Sequence, residues 1–507
     1  MSPDAEAVRF SVTETPVTRP EPARSDAGAE EPQSGPSWGR TLRRIAGVMA
    51  PMAILAAPVL VIGLCFWPGH MNADTLYQIQ QAISGDVNNR HAPLLVALWS
   101  VGWDLGMGPG WILVGQTVCF MAGAYLVLRA IFGRIAAALV AAAIALSPPV
   151  FGMLALVGRD IWFTAFLLLA FGFLVRATQR PWPVRGRWLA AAAAAAWLAL
   201  AARQNAAVSV VIVCVGIAGL LVARRRGNRG DLGDAPAEHG RPLRTAITAT
   251  AAGVALTAVL VLTQVAASAA IGVRDVQPEQ YLFIYDVAAI SVREDENLLP
   301  ADVMPIRDPR VLEQRFSVDV VNTLILTVPP LVATPLGGRK TAEVRDAWRE
   351  GILDHPGDYL DARWDLFWRQ VALTRKPVFI YHPVIDDSPL DFSLANPGLD
   401  RRASDYVEAF ADPMLDGDFV HRVWIYLLLA LAAALVLLRR RAPVGLRCVG
   451  ALGLAALTYQ IGLFFLAMGV QYRLENPSVV IGLLCAAVLL RLAASEVQRR
   501  RSLARTS

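Results

Sequence analysis

Phosphate-directed chemistry needs guanidinium groups, carboxylates and a hydroxyl-activating base. In this chain those types stand at the polar breaks of long apolar stretches. Asp74 lies in the run Met71-Asn72-Ala73-Asp74-Thr75-Leu76-Tyr77. A carboxylate there can take a proton from an acceptor hydroxyl, or cap a helix running through residues 78–83. Arg159-Asp160 sets a fixed cation beside a carboxylate, and its plainer reading is a local ion pair at a helix start. Arg203 and Arg473 add two guanidiniums. Each can grip a phosphate through two parallel hydrogen bonds or anchor to lipid headgroups. Tyr77, Asn205 and Tyr472 stand beside them in the sequence, and His91 stands near the end of the loop that carries Asp74. Any one of these sites reads equally as snorkelling or helix capping. Together, on one side of a bundle, they describe helix ends converging on a shared cavity.

The elements that must position them are apolar blocks. The 507 residues are 55% hydrophobic and only 18% charged, and blocks of about 18 or more apolar residues read as bilayer-spanning helices. Ten such helices are predicted, at about 45–67, 111–132, 135–154, 161–175, 188–202, 206–222, 246–271, 423–438, 449–468 and 479–490. The Pro148-Pro149 pair is expected to be tolerated near the outer end of the third. The block 91–105 is too short to cross and reads as a juxtamembrane helix. Arginine clusters beside the blocks, at Arg40, Arg43 and Arg44, Arg224–Arg226, Arg439–Arg441 and Arg499–Arg501, mark the inner side. The other charged junctions then fall outside.

The expected fold is an all-α polytopic membrane bundle of about ten transmembrane helices, with outer juxtamembrane helices. A mainly helical outer domain is inserted before the last three. The predicted parts are a disordered cytoplasmic tail at 1–44, an N-terminal membrane module at 45–271 with a first outer loop at 69–110, and an outer domain at 272–421. C-terminal membrane helices at 422–495 and a basic cytoplasmic tail at 496–507 complete the chain. The first apolar block lies too far in for an ordinary signal peptide and reads as an uncleaved anchor.

The net charge of +5 is confined to those juxtamembrane clusters, which excludes nucleic-acid binding. The five cysteines lie in or beside apolar segments and imply neither a metal centre nor a disulfide framework. In the outer segment, 281–290 is apolar enough to pack against the membrane face, and the acidic run Arg293-Glu294-Asp295-Glu296 could form a metal or sugar site but reads first as a solvated turn. Helices are predicted at 341–353 and 357–371. Tyr359, Trp364, Phe367 and Trp368 give the second an aromatic face suited to a membrane interface. His355 and His382 each precede a proline, without a ligand partner at metal spacing.

These residues resemble the motifs of the GT-C superfamily of membrane glycosyltransferases, of the protein O-mannosyltransferase and aminoarabinose transferase type, which use polyprenyl-phosphate sugars. Asp74 matches the acidic residue of the first outer loop, and His91-Ala92-Pro93-Leu94 resembles the motif that ends it. Asp160 matches the acidic residue after the third helix, Arg203 an arginine after the fifth, and Gln471-Tyr472-Arg473 a Tyr-Arg-Tyr-like motif near the last helices. Ala92 stands where a proline is usual, and Leu474 where a second aromatic is common. The resemblance covers roughly 45–205 and, more loosely, 455–490. It implies sugar transfer from a polyprenyl-phosphate donor to a glycan, lipid or protein acceptor on the outer face of the inner or plasma membrane, with both termini cytoplasmic. Asp74 and Asp160 would be catalytic. Tyr77, His91, Arg159, Arg203, Asn205, Tyr472 and Arg473 would bind substrate. No cofactor is expected, since arginines can neutralise the leaving phosphate, although the acidic sites leave room for a divalent ion. Besides the donor and acceptor, membrane lipids are the expected partners. Two other classes stay open: a transporter or flippase of a lipid-linked or anionic substrate, and a non-catalytic envelope assembly protein. A transporter would show mid-membrane ionisable residues and broken helices in matching halves.

Overall fold

The computed structural model describes residues 37–228, 241–374, 390, 392–410, 420–439 and 442–506. The tail 1–36, the basic loop 229–240, His382, Arg440 and Arg441 lie outside the described residues. The chain divides into two compact units, Met1–Val48 and Met49–Ser507. In the first, the described residues are helical; the rest of this section concerns the second. No strand occurs among the described residues, where pairing is limited to isolated bridges.

Nineteen α-helices are described. The first ten are α1 (Ser37–Phe66), α2 (Ala73–Ser84), α3 (Pro93–Asp104), α4 (Gly110–Leu128), α5 (Arg134–Ala145), α6 (Pro148–Ala155), α7 (Arg159–Thr178), α8 (Val184–Ala202), α9 (Ala207–Asn228) and α10 (Arg241–Ala270). Six follow in the polar stretch: α11 (Gln280–Glu294), α12 (Pro309–Arg315), α13 (Asn322–Ile325), α14 (Gly338–Asp354), α15 (Pro356–Gln370) and α16 (Pro397–Glu408). The last three are α17 (Val423–Leu437), α18 (Val444–Leu466) and α19 (Asn476–Thr506).

Every predicted crossing falls on a helix, but among the described residues seven helices are long and apolar enough to span a membrane, or eight if one bent pair counts as a span. The chain is therefore a multi-pass membrane protein with fewer clear spans than the ten expected. Three differences account for this. Helix α8 is alanine-rich and carries Arg185 and Arg187 in its first turns, so its apolarity falls short. Helix α17 is strongly apolar but has only 15 residues, below the length a crossing needs. The predicted helix 135–154 is broken into α5 and α6, which meet at 72°. Pro148-Pro149 cannot continue the helix hydrogen-bond ladder, and proline disfavours helical backbone at Ser147 before it. The dipeptide therefore begins α6 rather than sitting inside one helix.

Helix α3 is the predicted short element before the Gly106–Gly110 break, and proline opens it. Two principal buried cores form. The main one runs through the apolar helices and also takes in Val371 and, on α16, Ala403 and Val407. A second gathers Tyr281, Ile284, Val287, Leu299, Met304 and Val344 along α11–α14. Helix α15 joins the two. Its Trp364 packs edge-on to Phe464 of α18, with centroids 4.9 Å apart, and Arg363 pairs with Asp286 of α11 at 2.6 Å.

Candidate functional site

The segment between α1 and α2 places Asp74. His70 pairs backbone-to-backbone with the turn before α7: its N–H donates to Ala155 O, and its carbonyl accepts from Val157 N–H, both at 2.9 Å. Gly69 permits this approach. Its φ is +113°, and a Cβ there would stand 2.3 Å from Val157 Cγ2. The His70 ring is held by Asp400 of α16 at 2.7 Å, and Thr75 Oγ1 donates to Val157 O at 2.6 Å. The first turn of α2 is thereby fixed against the start of α7.

The cap of α2 is Asn72, whose side chain accepts from Thr75 N–H at 2.9 Å, not Asp74. Asp74 is left free to face the site. Its carboxylate accepts from Arg473 at 2.6 Å. The turn before α7 is closed by Gln116, which donates to Leu156 O at 2.8 Å. Arg159 and Asp160 then open α7, but they do not form the local pair that their adjacency suggests. Asp160 is 1% exposed. It takes a short hydrogen bond from Arg203 at the end of α8, and Arg473 Nε lies 3.8 Å away. Asn205 accepts from Arg203 Nε at 2.8 Å, and Tyr459 of α18 lies beneath the guanidinium at 5.8 Å. Arg473 Nε in turn donates to Gln471 Oε1 at 2.6 Å.

Arg159 differs from its two neighbours. Its guanidinium reaches His91 Nδ1 at 3.0 Å, it lies within 4 Å of no described carboxylate oxygen, and its buried Nε has no hydrogen-bond partner. Arginine can only donate. His91 Nδ1 is therefore the acceptor, and the imidazole proton sits on Nε2, 3.9 Å from Asp74 Oδ1. Burial and the neighbouring Arg159 push His91 down to about 3, against the pull of Asp74. Burial alone would raise the Asp74 carboxyl, but Arg473, His91 and Arg159 together hold it well below the carboxylate range. The site is thus an ionised aspartate, a neutral histidine and three guanidiniums, one of which retains a free donor.

Seven of the nine residues singled out from sequence converge here: Asp74, Asp160, His91, Arg159, Arg203, Asn205 and Arg473. Tyr77 stands just behind, edge-on to His91 at 5.5 Å, its hydroxyl accepting from Asn88 at 2.8 Å. Tyr472 turns away and packs against His421 at 5.6 Å. The buried group around Glu475 was missed. Glu475, fully buried, accepts from Gln370 at 3.0 Å and closely from Gln460. The signal was a lone amide, Gln460, in apolar α18, since a polar group there needs a partner. At the start of α15, His355 and Asp358 bring their ligand atoms within 4.8 Å of that of Glu294 at the end of α11, with His355 Nδ1 2.8 Å from Glu294. Spacing hid this group, because its members come from two helices.

No family model matches the sequence, and no curated protein does. Among solved structures, the chain is similar to the archaeal oligosaccharyltransferase AglB from Archaeoglobus fulgidus, in complex with an inhibitory peptide and a dolichol-phosphate. The identity is 14% and the TM-score 0.37, over 90% of this chain and 52% of that one. This chain therefore spans about half of the oligosaccharyltransferase's length. It is also similar to ArnT from Cupriavidus metallidurans in the apo state, at 16% identity and a TM-score of 0.30 over 85% of this chain and 78% of that one. The same protein bound to undecaprenyl phosphate gives 17% identity and 0.30, over 82% and 77%. Both of these neighbours are membrane glycosyltransferases of the GT-C superfamily.

Proposed function

We propose that this chain transfers a sugar from a polyprenyl-phosphate donor to a glycan, lipid or protein acceptor on the outer face of the inner or plasma membrane. The observation that carries the reading is Arg159: a guanidinium with a buried, unpartnered Nε–H, beside an ionised carboxylate that can face an acceptor. A buried donor without a partner costs about 1–3 kcal/mol, and an incoming phosphate oxygen removes that cost.

In this reading the anomeric carbon–oxygen bond to phosphate breaks as the acceptor oxygen–carbon bond forms. Arg159 takes the charge that grows on the departing lipid phosphate, and Arg203 stands behind it through Asp160. Asp74 accepts the hydrogen bond of the acceptor hydroxyl. So depressed a carboxyl is a weak base, so it receives the proton late, once bond formation has made that hydroxyl acidic. Both carboxylates are already engaged, Asp74 by Arg473 and Asp160 by Arg203, so cation duty falls to arginine. The lipid tail would lie between helices. Helix α9 runs from beside Arg203 to Arg224 and Arg225, so the basic cluster lies at the opposite helix end from the site, in keeping with cytoplasmic termini.

The test is direct. Membranes containing the full chain are incubated with a panel of radiolabelled polyprenyl-phosphate sugars. One donor gives transfer that Asp74→Asn abolishes at matched expression. Transfer that persists undiminished in Asp74→Asn overturns the reading.

A further inference from the structure

Gln370 is the last residue of α15 and is 4% exposed. Its amide grips one peptide residue from both sides. Nε2 donates to Gln471 O at 3.0 Å, and Oε1 accepts from Gln471 N–H at 3.1 Å. Nε2 also donates to Glu475 at 3.0 Å. Only a side-chain amide offers a donor and an acceptor at this spacing. A hydrocarbon of equal length would leave the Gln471 N–H and carbonyl without it, and Glu475 would keep Gln460 and Ser478.

The grip continues into the site. Gln471 Oε1 accepts from Arg473 Nε at 2.6 Å, and Arg473 ends on Asp74 at 2.6 Å. The other end of the relay is anchored as well. Arg363, two turns earlier on the same face of α15, donates to Ala467 O at 2.6 Å, and Arg369 meets Asp319 at 3.3 Å. Asp319 O accepts from Val470 N–H at 2.7 Å. Helix α15 therefore holds the whole segment 467–471 that delivers Arg473.

We propose that Gln370 is a positioning residue for Arg473. Acting through Gln471, it sets the angle at which the guanidinium meets Asp74, so α15 governs the rate of the chemical step without touching substrate. The inference rests on the transferase reading of Asp74 and Arg473. Misplacing a group by about 1 Å can cost on the order of 100-fold in rate, which sets the scale of the effect.

The experiment is a double-mutant cycle in the purified full chain in nanodiscs, with Gln370→Met and Arg473→Ala made singly and together. Methionine keeps the length and volume and removes all three hydrogen bonds of the amide. Gln370→Met is expected to lower kcat roughly 10- to 100-fold while donor KM stays within about twofold. In the Arg473→Ala background the same change costs nothing further. Losses that multiply, or a raised KM at unchanged kcat, overturn the proposal. If Gln370→Met does not accumulate, Gln370→Asn, whose amide stops one methylene short, is read in the same way. Thermal melting of the same four proteins without substrate separates the two claims. A wild type that transfers no sugar overturns the function reading. A melting cycle with fully additive shifts overturns the Gln370–Arg473 coupling whatever the activity.

Discussion

Asp74 and Arg473 are 399 positions apart in the chain, and their side chains meet at 2.6 Å. One comes from the first turn of α2 and the other from the 3-10 turn that precedes α19. The pair therefore closes the two ends of the membrane bundle on one point. The guanidinium keeps the carboxylate ionised and aimed. Arg473→Ala is expected to lower initial transfer rates roughly 100- to 1,000-fold. Arg473→Lys should restore only part of this, because a point charge does not replace the planar fork that binds Asp74 and Gln471 together. Initial rates at saturating donor and acceptor decide it, and unchanged rates would count against the pairing's role.

His91 gives a pH signature whose sign can be worked out. Its folded value is about 3, against an ordinary 6.5. Between those values the unfolded chain holds a proton that the folded chain excludes. The stability that neutral His91 contributes is therefore lost as pH drops below about 6.5. The depressed Asp74 carboxyl acts in the same direction, because its contribution is present above its ordinary 3.8 and is lost only below that. The two windows hardly overlap. Between about pH 7 and pH 5 the melting temperature of the detergent-solubilised protein should therefore fall relative to that of His91→Asn. An identical pH profile in the variant would contradict a neutral His91 held by Arg159.

Much of this architecture could be read from the chain. Every predicted crossing but 135–154 is a single helix, because apolar blocks with arginine at one end leave the backbone no other way to satisfy itself in lipid. What could not be read was the depth to which each helix is buried. Helix α8 has modest apolarity and α17 is short, and neither feature says whether protein or lipid surrounds the helix. The break at Ser147 turned on how a proline pair is accommodated, which depends on packing around α6. At the site, seven residues were visible as charged or polar groups at helix ends, but their pairing was not. Adjacency suggested Arg159 with Asp160, while folding gave Asp160 to Arg203 and left Arg159 open. Gln370 and Glu475 escaped notice because their roles arise from contacts 101 and more residues apart, with no local pattern.

The short helix α17 owes its place to close packing, and that is testable. A Cβ built on Gly482 of α19 would stand 2.7 Å from the Tyr426 backbone, and one on Gly453 of α18 would stand 2.6 Å from Ala430 O. Backbone, not a flexible side-chain end, occupies the space, so α17 is gripped by small residues on both sides. Overpacking of this kind costs about 1–3 kcal/mol. Gly482→Ala should lower the melting temperature, while Gly357→Ala, where nothing lies within 4 Å of the built Cβ, should hardly change it. A melt unmoved by Gly482→Ala would mean that α17 and α19 pack less closely.

Asp160 and Arg203 separate structural from chemical roles. Both are nearly buried, with side chains 2% and 11% exposed. Removing one partner leaves the other charge in a poorly hydrated setting, at a cost of about 3–5 kcal/mol. Arg473 at 3.8 Å offsets part of this, so Arg203→Ala should fall near the lower figure. Replacing both groups by apolar side chains, Asp160→Leu with Arg203→Met, removes the stranded charge. The double variant should therefore melt higher than Arg203→Ala alone. It should still transfer no sugar, because the backing for Arg159 is gone. Recovered stability together with recovered activity would show that the pair only holds α7 to α8, and would remove it from the site.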